Sequence, residues 1–217
     1  MKKSDILSAI IIAEINAWLT LAVFKSIGFD LKVFFGNFNL AFIFPYLDWF
    51  FCYLPLTLPP FVLFYVFFLS ILGKKAKWLG QLGKYALTGS LNTLIDLAVL
   101  NLLMSIFGIA KGPYFPFFKT ISFLAAVTNS YFWNKFWTFT FHETKIGIKE
   151  YGKFVSLTFV GLLFNVGIAS FLVNTVGAKF GLSAKIWANL SAFTAVLIIA
   201  AWNFLSYKFL VFRKKNP

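Results

Sequence analysis

Acidic residues are scarce in this chain: Asp and Glu together number 7 of 217 residues, against 20 Lys and Arg. There is one histidine, His142, and one cysteine, Cys52. A lone cysteine excludes an intrachain disulfide and says nothing of redox compartment. One histidine and scattered carboxylates give no ligand cluster of the usual spacing, so neither a metal nor another cofactor is expected. Charge as a whole is sparse, 12% of residues where a soluble domain carries about 25%. Long polar stretches are also missing. No gap between apolar runs exceeds about 20 residues, which leaves no room for a folded extramembrane domain. Any activity is therefore expected within or between helices.

Apolar surface is abundant instead. Apolar residues make up 60% of the chain, 31 of them Phe, and the mean hydropathy is +0.81. A core of this size cannot bury that load, so lipid must solvate part of it. The opening Met1-Lys2-Lys3 and the run from Ile6 resemble a secretory signal at first sight. The run is too long, contains Glu14 and lacks a small-residue cleavage pattern, so it reads as a retained first span.

A helix needs about 20 apolar residues to cross the hydrocarbon. Such runs predict spans at roughly 6–28, 51–73, 85–108, 116–139, 154–176 and 184–212. Pro45, Pro55, Pro59 and Pro60 punctuate the second apolar region, which predicts an interfacial or re-entrant stretch near 38–50 before its span. The fold class is an all-α integral membrane protein of about six transmembrane helices. Of the 20 Lys and Arg, 14 fall at the N-terminus and in the second, fourth and final gaps, which places both termini in the cytoplasm. The basic excess follows the gaps rather than one polar face, so it signals orientation and not a nucleic-acid partner.

A repeat of 73 residues pairs Asn92 with Asn165, Phe107-Gly108 with Phe180-Gly181, and Lys135-Phe136 with Lys208-Phe209. Each copy is a two-span hairpin, so the copies run parallel about an axis along the membrane normal. Residues 1–80 lie outside the repeat as an added N-terminal hairpin, and 81–217 form a four-helix domain.

Asp96 is the sharpest single residue. It sits near the middle of the third span, where a carboxylate costs roughly 2.5–3.5 kcal/mol. Asn92 lies one turn earlier, and Thr88, Gly89 and Thr93 keep that face polar and small. The residue either lines a cavity for a polar substrate or coupling proton, or clasps two helices. Lys119 would pair with Asp96, meet an anionic head group, or snorkel to the interface. Glu14 would face the same cavity, the interface or a neighbouring helix, and Asp48 lies near the entry to the second span. At the cytoplasmic end of the fourth span, Asn129, Asn134 and Lys135 sit among aromatic residues, echoed by Lys208 after the sixth. These are interface anchors or lysine sites for a lipid phosphate.

The pattern aromatic-x-x-x-Gly-x-x-Asn-Thr-x-x-Asp is met by Tyr85, Gly89, Asn92, Thr93 and Asp96. A second pattern is met by Asn134, Lys135, Trp137, Thr138 and Phe139. Together they resemble the GtrA-like family of small four-span membrane proteins, over about residues 80–215. Lys135 stands where the family often has Arg, and Thr88 rather than Val precedes Gly89. The resemblance implies a role in cell-surface polysaccharide synthesis, as a multi-pass protein of the cytoplasmic membrane. Members are thought to flip a polyprenyl-phosphate-linked sugar, typically undecaprenyl-phosphate-glucose, to the outer leaflet. Under that reading Asn92, Asp96 and Asn165 shelter the sugar, with Asp96 bonding its hydroxyls, while cytoplasmic lysines draw in the phosphate. A partner membrane glycosyltransferase would make the lipid-linked sugar. Two other readings are a non-transporting subunit that scaffolds such a transferase, and a small-solute or cation exporter coupled through Asp96 or Glu14. An enzyme is the weakest reading, because no carboxylate pair stands on a cytoplasmic domain. Four helices enclose a narrow path, which self-association or the added hairpin would complete.

Overall fold

The computed structural model describes residues 2–28, 51–139 and 148–206. The expected interfacial stretch at 38–50, with Pro45 and Asp48, lies outside the described residues, as does Lys208. The described residues form six α-helices and no strand: α1 (Lys3–Ile27), α2 (Leu54–Lys75), α3 (Lys77–Phe107), α4 (Phe115–Trp133), α5 (Ile148–Phe171) and α6 (Ala184–Ser206). Each overlaps one of the six apolar runs, though α3 starts at Lys77 and α5 at Ile148, ahead of the expected spans, and residues 207–212 of the last expected span lie outside the described residues. Four stretches are long and apolar enough to cross a bilayer: α1, Leu54–Lys74 of α2, Trp78–Phe107 of α3, and Ser156–Val176 of α5 and the turn after it. The apolar part of α6, Ala184–Ala200, is shorter. The 19 residues of α4 rise about 28 Å at 1.5 Å each.

The helices alternate in direction. At one end Lys84 pairs with Asp5, and the Trp137 indole Nε1 donates to Asp5 Oδ1 at 3.1 Å. The Tyr85 hydroxyl donates to the Ala200 carbonyl at 3.5 Å. The start of α1 and the late part of α6 therefore share this end, here called the Asp5 end. At the opposite end Lys185 donates to the Ser26 carbonyl at 3.4 Å and to Ser105 Oγ at 3.2 Å. There the Asn174 carboxamide also holds the Gly112 backbone, accepting from its N–H at 2.8 Å and donating to its carbonyl at 3.3 Å.

The α1–α2 hairpin packs on α3 through small and branched side chains, with Ala9, Ala13, Val62 and Val66 buried between them. Glycine permits the approach. A Cβ on Gly80 would stand 3.5 Å from Gly73 Cα, and one on Gly83 would stand 2.2 Å from Leu69 Cδ1. Asn16 Nδ2 donates to Ser90 Oγ at 2.8 Å, and Asp5 joins the same contact at the helix ends.

The repeat is visible in local geometry. A shift of 73 carries Gly108 onto Gly181, both left-handed at φ 68° and 70°. Past the middle of α3, towards the Ser26 end, the helices close on one core that includes Leu97, Leu100, Met104, Phe115, Phe118, Ala169 and Ala192. In that half the Asn101 and Asn189 carboxamides exchange hydrogen bonds of 2.6 and 2.9 Å, tying α3 to α6.

Candidate functional site

The site starts from one buried charge. Asp96 on α3 is 2% exposed, and Lys119 on α4 is fully buried. The Lys119 ammonium binds Asp96 Oδ2, while Ser122 Oγ donates to Asp96 Oδ1 at 2.5 Å. Both carboxylate oxygens are thus engaged. Lys119 does not snorkel, because its counter-charge lies across the helix pair and not at the interface. Asp96 has the geometry of the clasp rather than that of an open acceptor for sugar hydroxyls. One turn nearer the Asp5 end, Asn92 Oδ1 accepts from Asn129 Nδ2 at 2.6 Å, joining the same two helices.

The second motif closes α4. The Phe139 N–H bonds the Asn134 carbonyl five residues back at 3.0 Å, making a single wide turn over Asn134–Thr138. Such turns are rare and occur often at functional sites. Asn134 and Lys135 are fully buried, and Trp137 and Thr138 nearly so. Neither Asn134 nor Lys135 is an interface anchor; Phe132 and Phe136 take that outward role, at 52% and 56% exposure. Lys135 Nζ lies 3.4 Å from the Tyr131 hydroxyl. Asn134 Nδ2 donates to Ser130 Oγ at 2.9 Å, and Thr138 meets Thr88 of the first motif at 3.3 Å. The motifs, some 40 residues apart in sequence, thus touch.

Between the repeats lies a cavity of about 810 Å³, within the usual range for a small-molecule site. Its walls come from α3, α4 and α6, with Asn165 from α5. Along α3 it runs from Leu82 to Leu97, about 22 Å of helix rise from the Asp5 end to the middle. Beyond Leu97 the helices are packed shut. Several wall residues, including Leu82, Phe193, Leu197 and Leu205, are exposed, so the cavity is not sealed off. The wall is largely apolar, with Tyr85, Ser90, Asn92, Thr93, Asp96, Ser130 and Asn165 as polar points, the Tyr85 and Ser90 hydroxyls already bonded to Ala200 and to Asn16 and Leu87.

The structure therefore gathers Asn92, Asp96 and Asn165 at one cavity, as the sequence reading expected, with Asn129 behind Asn92. Lys119, Asn134 and Lys135 support the walls from behind and do not line them. Glu14, on α1, is not among the lining residues either. Sequence reasoning missed Ser122 and Ser130. Their signal was spacing: Ser122 falls three residues after Lys119 and Ser130 four before Asn134, each on the same helix face.

A family model for the GtrA/DPMS transmembrane domain matches residues 84–212. The chain belongs to that family. No match is found among curated proteins or among solved structures. The matched stretch of this GtrA/DPMS-family protein contains the whole cavity wall except Leu82, together with both motifs, while the α1–α2 hairpin precedes it. The match and the apolar helices make it a membrane protein related to sugar-lipid handling.

Proposed function

We propose that this protein carries a polyprenyl-phosphate-linked sugar between the leaflets of the cytoplasmic membrane, in the synthesis or modification of a surface polysaccharide. The observation that carries the reading is the shape and chemistry of the cavity. A lipid-linked sugar has an apolar tail and a hydroxylated head, and the cavity offers a largely apolar, partly open wall with polar points towards the middle of α3. The tail can stay in lipid while the head is shielded from it. The lysine count supports orienting the Asp5 end, the half that holds the cavity, towards the cytoplasm, where the lipid-linked sugar would be loaded. Lys119 and Lys135 are buried and leave that count, one from each side, so the asymmetry stands.

The exporter reading is weakened by the same geometry. A coupling carboxylate must be free to take its ion, and both Asp96 oxygens are held by Lys119 and Ser122, while Glu14, the other carboxylate of that reading, does not line the cavity. The scaffold reading makes no use of a cavity.

The test uses purified protein in liposomes containing a polyprenyl-phosphate sugar, with outer-leaflet accessibility followed over time. Wild type is compared with empty vesicles and with Gly89→Phe. A Cβ at Gly89 meets nothing within 4 Å and Gly89 lines the cavity, so the ring should plug the space without unfolding the helix. Exchange faster than in empty vesicles and lost in Gly89→Phe is the expected result. Exchange no faster than in empty vesicles, from protein verified as folded, would overturn the translocase reading in favour of the scaffold.

A further inference from the structure

A ligand entering the cavity meets little that is free to bind it. Among the residues lining the cavity Asp96 is the one charged side chain, and Lys119 cancels its charge. The inner end is therefore electroneutral and offers a phosphate no counter-ion. Most of the polar points are already engaged: Asn92 with Asn129, the Thr93 hydroxyl with the Gly89 carbonyl, and Ser130 with Asn134.

Asn165 is different. Its side chain lines the cavity from α5, it is 1% exposed, and its Oδ1 has no hydrogen-bond partner. A buried carboxamide oxygen left unpaired is unfavourable, more so at membrane depth, unless a ligand supplies the missing donor. Turning the amide over would exchange an orphan acceptor for an orphan donor, and a hydroxyl satisfies either. The repeat sharpens the contrast. The Oδ1 of Asn92, the counterpart of Asn165, accepts from Asn129, but the counterpart of Asn129 in the second copy is Trp202 rather than a carboxamide.

We infer that Asn165 is the specificity-determining contact for an uncharged, hydroxylated head group, reading a sugar hydroxyl while the phosphate stays outside the inner end. This rests on the translocase reading and assigns the hydroxyl contact to Asn165 instead of Asp96.

The experiment measures binding of short-chain polyprenyl-phosphate-glucose and of bare polyprenyl phosphate to the full-length protein in micelles, together with the thermal stability of the free protein. Wild type is compared with Asn165→Leu and Asn165→Ala. One neutral hydrogen bond corresponds to about a fivefold preference. Both variants should lose that preference for the glycosylated lipid, bind the bare lipid as wild type does, and melt at the same or a higher temperature, since an unpaired amide has been removed. Preference within twofold of wild type in both variants would overturn the inference and leave the translocase reading standing. A lowered melting temperature in both would also overturn it, by showing that the amide is partnered inside the protein. A wild type that does not prefer the glycosylated lipid would overturn the translocase reading and the inference with it.

Discussion

Breaking the Asp96–Lys119 pair from one side should be far more damaging than removing it altogether. The two side chains are 2% and 0% exposed, so neither charge has water to fall back on. Taking one partner from a buried pair typically costs 3–5 kcal/mol, roughly, because the survivor is left uncompensated, while replacing both by apolar groups of similar volume is often neutral. Asp96→Leu and Lys119→Met alone should each destabilise by about 3–5 kcal/mol. The double variant should lie within about 1 kcal/mol of wild type, so the two effects fail to add by several kcal/mol.

The chain contains its own precedent. The 73-residue shift carries Asp96, Lys119 and Ser122 onto Ala169, Ala192 and Ala195, and all three alanines are fully buried. The second hairpin thus closes the same positions with no charge at all. The assay is unfolding in mixed micelles by titration with a denaturing detergent, followed by helix content. Single variants that each lose less than about 1 kcal/mol, and add in the double, would refute the reasoning.

Gly83→Ala should destabilise by about 1–3 kcal/mol, since the new methyl would sit 2.2 Å from Leu69 Cδ1, and adding Leu69→Ala should recover most of the loss in the same unfolding assay. Asp5→Ala removes the acceptor of both Lys84 and Trp137 and should lower stability by about 1.5–3 kcal/mol; Trp137→Phe should add little on top of it. Cys52 is exposed just before α2, at the Ser26 end, so an impermeant maleimide should label it from outside intact cells; labelling only after permeabilisation would invert the topology. With Cys52 replaced, a short bifunctional thiol reagent joining cysteines at 107 and 118 should leave lipid exchange intact. The same reagent joining cysteines at 105 and 185 should stop it.

The six helices were legible because each is a long apolar run, and Asp96 was legible because a carboxylate in such a run is expensive. The partner of Asp96 was not. Lys119 lies 23 residues away on another helix, and only packing decides whether its ammonium turns to the interface or to the carboxylate. One signal was present in the sequence: Asp96, Lys119 and Ser122 all become alanine together under the shift that defines the repeat, as a coupled group should. The wide turn over Asn134–Thr138 left no such trace. Its residues read as an aromatic, lysine-bearing helix end, and the partners that meet it, Thr88 of α3 and Asp5 of α1, lie far away in sequence.

The difference expected between the two cross-links follows from what holds each pair of helices. Residues 107 and 118 join α3 to α4, and their rings already stack at 5.2 Å. Those helices are tied by the Asp96–Lys119 pair and by Asn92–Asn129, and separating two charges in a low-dielectric interior is costly. The pair therefore favours motion of α3 and α4 as one body, and a link between them constrains nothing further. Residues 105 and 185 join α3 to α6, across the boundary between the repeats. Among the described residues no ion pair crosses that boundary, so parting it leaves no unpaired charge. The polar ties there include the amide pair Asn101–Asn189 and the Lys185–Ser105 hydrogen bond, each worth on the order of 1 kcal/mol in a membrane. If translocation rocks one repeat against the other, the closed Ser26 half opens by parting that boundary. A buried ion pair within one repeat, and hydrogen bonds without an ion pair between the two among the described residues, is the distribution of strong and weak contacts such a motion requires. Exchange stopped by the first link and not the second would show that the rigid body has been drawn around the wrong helices.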